Sequence, residues 1–565
     1  MKFRLFALLL SVALFCSSAS ARTDSRRWCG TKGTMTTEFF IKNHEFRQKE
    51  FGIPKLSAAS LKKYHQDVGE IAVIKSSPTT LTSLNFFDLK GKKITYTKNP
   101  RGGFDVKVGA GSVSGTQGDA IALQDDDFKQ VSFTNGFNFS YYGTTYNSVF
   151  VNSDGNLTFK QGDKESTARD VFRIITGPPR IALFFQDMNP QKKGQVRILQ
   201  SSTKFTVTWN EVTEFLQSGA TNSNTFQVNL FKNGNIEFIF GTKIDTRAAI
   251  VGLSEGNTSI NNVRLVNYSN ANNLKGVTST ILERFSERQE IDFSALLNEF
   301  HKTHPPIFDF IVVWTDFGAL VGTGAFAFYS PIQNNIKGIG DQQYNFSKAF
   351  GSPKVQGFLM MDTLQKYPQD PNTEFLFGNS TIEVFGQENG HRWLAFPRVS
   401  IPGQPETLLL GRANSHWNFY MDTDASCMEG NDIRENGDGT FTTVGANEIY
   451  SKLDRYIMGF LPASAVPGTF VVTGSSDTDR PPQNGVTITG TKVSVSVQDI
   501  IRREGARVPN NTASQKTFRE AFIFYTRKDT PTSADLARVE KIRTMWSDFW
   551  KKQHANKSTI DTTLP

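Results

Sequence analysis

Between residues 120 and 256 apolar and polar positions alternate with period two. Phe226, Val228 and Leu230 alternate before Asn233-Gly234, and Ile236, Phe238 and Phe240 alternate after it. Such alternation buries one face of a strand, and an Asn-Gly or Asp-Gly pair supplies the positive φ angles of a tight hairpin. Val149-Phe150-Val151 and Leu157-Thr158-Phe159 flank Asn152-Ser153-Asp154-Gly155 in the same way. With strand-like runs at Ile181-Ala182-Leu183-Phe184-Phe185 and Phe205-Thr206-Val207-Thr208-Trp209, the stretch predicts an all-β, sandwich-like module of two sheets.

The pattern changes on either side. Upstream, residues 35–66 are polar and suit a helix, followed by strand-like Ile71-Ala72-Val73-Ile74, Ile94-Thr95-Tyr96-Thr97 and Phe104-Asp105-Val106-Lys107-Val108. Downstream, Leu282 to Phe300 reads as a helical connector. Ile307 to Trp314 is a β-branched run suited to a strand buried on both faces. Ala325 to Tyr329 and Val355 to Met360 read as further strands, and Ser380 to Phe396 partly follows helical spacing through Ile382, Phe385 and Trp393. The chain ends in an amphipathic helix from Ala534 to Trp550, with Leu536, Val539, Ile542, Trp546 and Phe549 on one stripe.

These patterns divide the 565 residues into a signal peptide (1–21), a leader region (22–118), the β module (119–260), a helical connector (261–304), an α+β domain (305–468) and a β-rich segment with a closing helix (469–565). The fold class expected is multidomain, an all-β sandwich-like module followed by an α+β domain. Lys2 and Arg4 precede the apolar run Leu5 to Cys16, and Ala19-Ser20-Ala21 supplies a cleavage site, so the protein is expected to be secreted. No later run is long and apolar enough to predict a transmembrane segment.

Charge adds little. Losing Lys2 and Arg4 leaves 60 basic residues against 54 acidic, a net +6 spread along the chain, which gives no case for nucleic acid. Cys29 and Cys427 remain after cleavage, as one long-range disulfide or as two thiols. Sequons at Asn138, Asn156, Asn257, Asn267, Asn345, Asn379, Asn510 and Asn556 are glycosylation candidates in a eukaryotic host.

The chemistry centres on Gly386-Gln387-Glu388-Asn389-Gly390-His391-Arg392-Trp393. In an H-E-x-x-H helix two imidazoles one turn apart bind zinc, and the glutamate is the general base. Here Gln387 stands where the first histidine would be. Glu388 is the candidate base and His391 a candidate ligand, with Gln387 offering an amide oxygen. Of the other histidines, His416 is the one followed by a ligand-rich stretch. The candidate metal set is therefore His391, His416 and one carboxylate from Asp422, Asp424 or Glu429. Alternatively His416 and Trp417 are core residues and the acids are loop contacts. Gly390 beside His391 suits a close approach by another segment. Calcium is a second possible ion, at Asp125-Asp126-Asp127 or within Asp432 to Thr440, where plain acidic or glycine-rich turns compete with it. Gly252-Leu253-Ser254-Glu255-Gly256 matches a nucleophile elbow as a string, but polar residues follow it where a helix is needed. Met458 suits a core methionine better than a methionine turn.

Phe137-Asn138-Phe139-Ser140-Tyr141-Tyr142-Gly143, Val149 to Phe159, Phe185-Gln186-Asp187-Met188-Asn189 and Asn224 to Val228 resemble the nidogen-type extracellular β domain. The resemblance implies contact with an extracellular protein or matrix component. The later order Gln387-Glu388-x-x-His391-Arg392-Trp393, His416-Trp417, Met428-Glu429-Gly430-Asn431 and Leu453 to Gly459 resembles secreted bacterial proteins with a zincin-like part behind a β module. Two functions follow. One is a secreted zinc metallopeptidase-like protein with impaired or absent activity. The other is an extracellular adhesion or matrix glycoprotein that binds through its β module and keeps the zincin-like part as an inactive scaffold.

Overall fold

The computed structural model describes residues 33–565 apart from 54–55, 167–168, 217, 272, 321–324, 377 and 476–479. The signal-peptide segment and Cys29 lie outside the described residues.

Two sheets face one another in the β module. The larger has Lys204–Glu214, Asn224–Phe231 and Ile236–Ile244 as consecutive antiparallel neighbours, and the smaller sets Ala249–Ser254 between Arg180–Phe185 and Thr280–Phe285. Their inner faces meet through aromatic rings. Phe184 of the smaller sheet stacks on Phe226 of the larger at 4.8 Å, and Trp209 stacks on the same ring at 5.4 Å.

The module reaches beyond residues 119–260. The hairpin Lys92–Lys98 and Phe104–Ala110, placed with the leader by sequence, adds to the larger sheet by pairing Tyr96 with Ile236 and Ile94 with Phe238. Leu282, expected in a helical connector, lies in a strand that pairs Gly252 with Leu282 and Val251 with Glu283. The connecting helix is shorter, Phe293–Thr303, and is capped by Asp292 accepting from the Ala295 amide. Periodicity marks strands correctly here but says nothing about partners more than a hundred residues away.

The second half of the molecule is built on a mixed sheet. Its centre is Ile71–Lys75, Thr517–Thr526, Phe310–Thr315 and Gly357–Thr363, parallel to one another in that spatial order. Phe328–Pro331 adds antiparallel at one edge. Helices cover both faces. Phe293 and Phe300 pack with Ile311 and Val313 on one side, while Phe385 and Trp546 pack with Val312, Trp314 and Phe522 on the other. This three-layer, parallel-centred arrangement differs from the α+β layering expected, because parallel neighbours are joined by long crossovers that leave no local signal. Ile71–Lys75 precedes the β module in the chain and its neighbours follow it. The β module is therefore inserted between two pieces of one sheet.

The helix Thr34–Phe51 ties the two parts together. Thr37 Oγ1 donates to the Pro331 carbonyl at 2.6 Å and Arg47 pairs with Asp292, while Lys42 Nζ donates to the Asn261 carbonyl of the β module at 2.8 Å.

Candidate functional site

The motif residues lie on the helix Thr381–Gly390, which starts in a capping box between Ser380 and Glu383. Its two glycines explain how closely it is packed. A Cβ on Gly390 would lie 2.6 Å from Met428 Sδ and 2.9 Å from the Tyr450 hydroxyl, and one on Gly386 would lie 2.8 Å from the Phe549 ring. The helix thus gives up intrinsic propensity so that the loop carrying Met428 and the closing helix carrying Phe549 can lie against it.

His391 ends this helix, and its ring centroid is 4.8 Å from that of His416, nearly perpendicular at 88°. His391 Nδ1 lies 2.9 Å from the Leu394 carbonyl oxygen and His416 Nδ1 lies 2.8 Å from that of Arg412. A carbonyl only accepts, so each ring carries its proton on Nδ1 and its lone pair on Nε2, a tautomer in which Nε2 can ligate zinc. Burial holds both imidazoles below their ordinary pKa. His416 is lowered further by the charge of Arg412 and by His391, whereas for His391 the nearby Glu388 carboxylate opposes the shift.

The lone pair of His416 has a protein partner. Arg412 Nη2 lies 2.9 Å from His416 Nε2, and the same guanidinium forks onto Glu429, with Nε 3.2 Å from Oε2 and Nη2 paired to Oε1. Gln387 completes the group by donating Nε2–H to Glu429 Oε1 at 2.9 Å, so its amide nitrogen, not the oxygen expected as a ligand, faces the carboxylate. Gln387, Glu388, His391, His416 and Glu429 are all buried.

Of the three candidate carboxylates, Glu429 is the one brought to His416, with Oε1 3.5 Å from Nε2. Asp422 instead accepts from the Ile433 amide at 3.1 Å, and burial pushes its carboxyl up to about 6, while Asp424 is exposed. The loop that assembles the site is strained. Ala413, Asn414, Asp424, Ala425 and Glu429 all have positive φ, at 56°, 52°, 51°, 56° and 69°. Non-glycine residues held in this region carry a conformational cost and cluster at functional sites. Buried anchors hold the loop. Trp417 Nε1 and Ser426 Oγ both donate to Asp454, at 2.8 and 2.6 Å.

Metal-donor chemistry in the sequence does not point to Arg412. Its signal was present, a basic residue four positions before a candidate ligand, but a search for metal donors passes over cations. As a fit for zinc, the arrangement has two imidazole lone pairs and one carboxylate, the right donor chemistry. Against this stands a fixed guanidinium charge sharing both His416 and Glu429.

Other candidates resolve differently. Asp125 and Asp126 come together with Asp187 instead of Asp127, the three carboxylates lying within 4.8 Å of one another. Arg169 already places a cation there, pairing with Asp126, with Asp154 at 2.8 Å and with Asp187 at 3.0 Å. Burial pushes Asp187 up to about 7, with Arg169 opposing. The Asp432 to Thr440 stretch is a hairpin, Asn431–Glu435 with Thr440–Ala446, turning through Gly437 and Gly439. Ser254 is buried at the end of a strand, and Met458 is a buried core residue whose carbonyl accepts from Arg507. Cys427 is a buried free thiol pushed up by burial. Asn156, Asn267 and Asn379 are buried, so in this fold their side chains have no room for a glycan, whereas Asn138, Asn257, Asn345, Asn510 and Asn556 are exposed.

Residues 104–294 match a family model described as NIDO related, and the β module is accordingly a nidogen-like domain, of a type found in extracellular proteins. No curated protein and no solved structure matches the chain. Among the described residues no helix is long and apolar enough to cross a membrane.

Proposed function

We propose that the protein is an extracellular binding protein whose recognition lies in the nidogen-like module. Its C-terminal part keeps the framework of a zinc-peptidase site with Arg412 in place of the metal. The observation that carries this reading is the guanidinium of Arg412 on His416 and Glu429. A zinc ion there would need the Nε2 lone pair and the carboxylate that Arg412 holds, and would have to sit beside a charge that never titrates. Gln387 follows the same logic, since its amide donates to Glu429 where a histidine would have supplied a metal ligand.

In a working site Glu388 would take the proton from metal-bound water, which is the role the adjacent glutamate has in such helices. Here its carboxylate lies within electrostatic reach of His391 and of the buried Tyr367. The tautomers of the two histidines favour the second reading, a zinc peptidase, because both present Nε2.

Metal analysis of the wild-type protein, paired with a cleavage assay on unfolded protein substrates, separates the two. The binding-protein reading expects zinc well below one ion per chain and no cleavage. One zinc per chain together with cleavage lost on Glu388→Gln would establish the peptidase reading instead.

A further inference from the structure

A cavity of about 400 Å³ opens on the nidogen-like module between the hairpin around Tyr142 and the loop that follows Ser254. Its walls include Tyr142, Tyr146, Lys160, Glu255, Asn257 and Ser259. We propose that this cavity is the module's ligand site and that it takes a short neutral glycan of one or two pyranose rings.

The aromatic part is rigid. Tyr146 is partly exposed and its ring is backed by Phe159, stacked at 4.4 Å and 25°. Tyr142 is wedged edge-on against Tyr141 at 4.8 Å and Phe104 at 5.5 Å, and its hydroxyl donates to the Ser279 carbonyl at 3.1 Å. A held ring offers a flat apolar face at little entropic cost, which suits the C–H face of a sugar. The polar part surrounds it: an ammonium, a carboxylate, an amide and a hydroxyl from Lys160, Glu255, Asn257 and Ser259. Sugar hydroxyls both donate and accept, so they use such a mixed set fully, whereas an apolar ligand would strip these groups of water with no return. The volume lies within the range of small-ligand clefts.

Backbone geometry points to the same place. Tyr142, Lys160 and Asn257 all have positive φ, at 42°, 75° and 43°, and all three line this one cavity. An aromatic residue in that region is unusual, and strain of this kind persists where function needs a side chain aimed against the backbone's preference. The loop wall is fixed as well. Gly256, with φ of 76°, lies so close to Pro178 and Pro179 that a Cβ would be 2.4 Å from the Pro179 nitrogen.

This inference rests on reading the nidogen-like module as the binding part, and it is tested apart from the metal question. Asn257 begins the sequon Asn257-Thr258-Ser259, so the full chain is produced without N-glycosylation. It is titrated calorimetrically with neutral hexoses, N-acetylhexosamines and their disaccharides, and with a hexuronate as the acidic comparison. The expected result is binding of at least one neutral sugar with a Kd of about 1 mM or tighter, weakened about tenfold or more by Tyr146→Ala. Lys160→Gly relieves the strained φ and should raise the melting temperature while weakening the same sugar, a combination that a purely structural lysine would not give. No neutral sugar binding at about 1 mM or tighter, or binding unchanged by both substitutions, overturns the assignment and leaves the Arg412 account standing.

Discussion

Arg412 donates Nη2–H to the Nε2 lone pair of His416 across 2.9 Å, inside a site where both partners are buried. A histidine tautomer suited to a metal is thus satisfied by a side-chain cation. The same guanidinium pairs with Glu429, so one side chain satisfies the imidazole lone pair and offsets the buried carboxylate charge.

Breaking this group from one side should be costly. Arg412→Ala leaves the buried Glu429 without its guanidinium, beside Gln387 and His416, and the loss of a buried ion-pair partner costs about 3–5 kcal/mol. Glu429→Ala should cost a similar amount by stranding the guanidinium. The double variant should recover part of it, and denaturant unfolding of the four proteins in a double-mutant cycle checks this. Additive losses would mean that the pair is not coupled.

Glu520 sits on the central strand Thr517–Thr526, fully buried, accepting from Asn389 Nδ2 at 3.0 Å and Trp546 Nε1 at 2.6 Å. Burial pushes its carboxyl up to about 8, with those two donors opposing. A folded pKa raised above the unfolded value gives stability that is fully present below about pH 4.5 and is lost as pH rises through about 8. Glu520→Gln removes that titration. Its amide nitrogen can donate to Asn389 Oδ1, which has no partner in the wild type, once the Asn389 amide turns over. The variant should gain stability relative to wild type between pH 5 and pH 9, measured as thermal midpoints across that range. A difference independent of pH would contradict the buried-acid account.

The nidogen-like module should fold alone when its full sheets are included. Residues 84–290 keep the hairpin of Lys92–Lys98 and Phe104–Ala110 and the strand Thr280–Phe285, whose Ile94, Tyr96, Phe104, Val106, Ile281 and Phe285 belong to its core. Residues 120–256 lack all of these. Far-ultraviolet spectra and thermal melts should show a cooperative transition for the longer fragment and none for the shorter. A shorter fragment that melts cooperatively would mean the added strands are dispensable.

Strands and their buried faces were legible wherever alternation or a β-branched run was strong, as in Phe226 to Phe240 and Phe310 to Thr315. Partners were not legible. Nothing local says that Ile71–Lys75 lies beside Thr517–Thr526, about 450 residues on, or that Lys92–Lys98 completes a sheet with Ile236–Ile244. The same holds for the site. Gln387, Glu388, His391 and His416 were picked by donor chemistry and spacing, and Glu429 by composition. Arg412 carries no such signal because it is a competitor for the donors and not one of them.

Zinc affinity reads directly whether Arg412 stands in for a metal. Wild type is compared with Gln387→His/Arg412→Ala, which supplies the missing imidazole and frees His416 and Glu429 together. Competition titration against a zinc-chelating dye should show weak zinc binding in the wild type and one site per chain in the double variant, tighter by about 100-fold or more. Wild-type protein that binds one zinc as tightly as the variant, with Arg412 in place, would contradict that role.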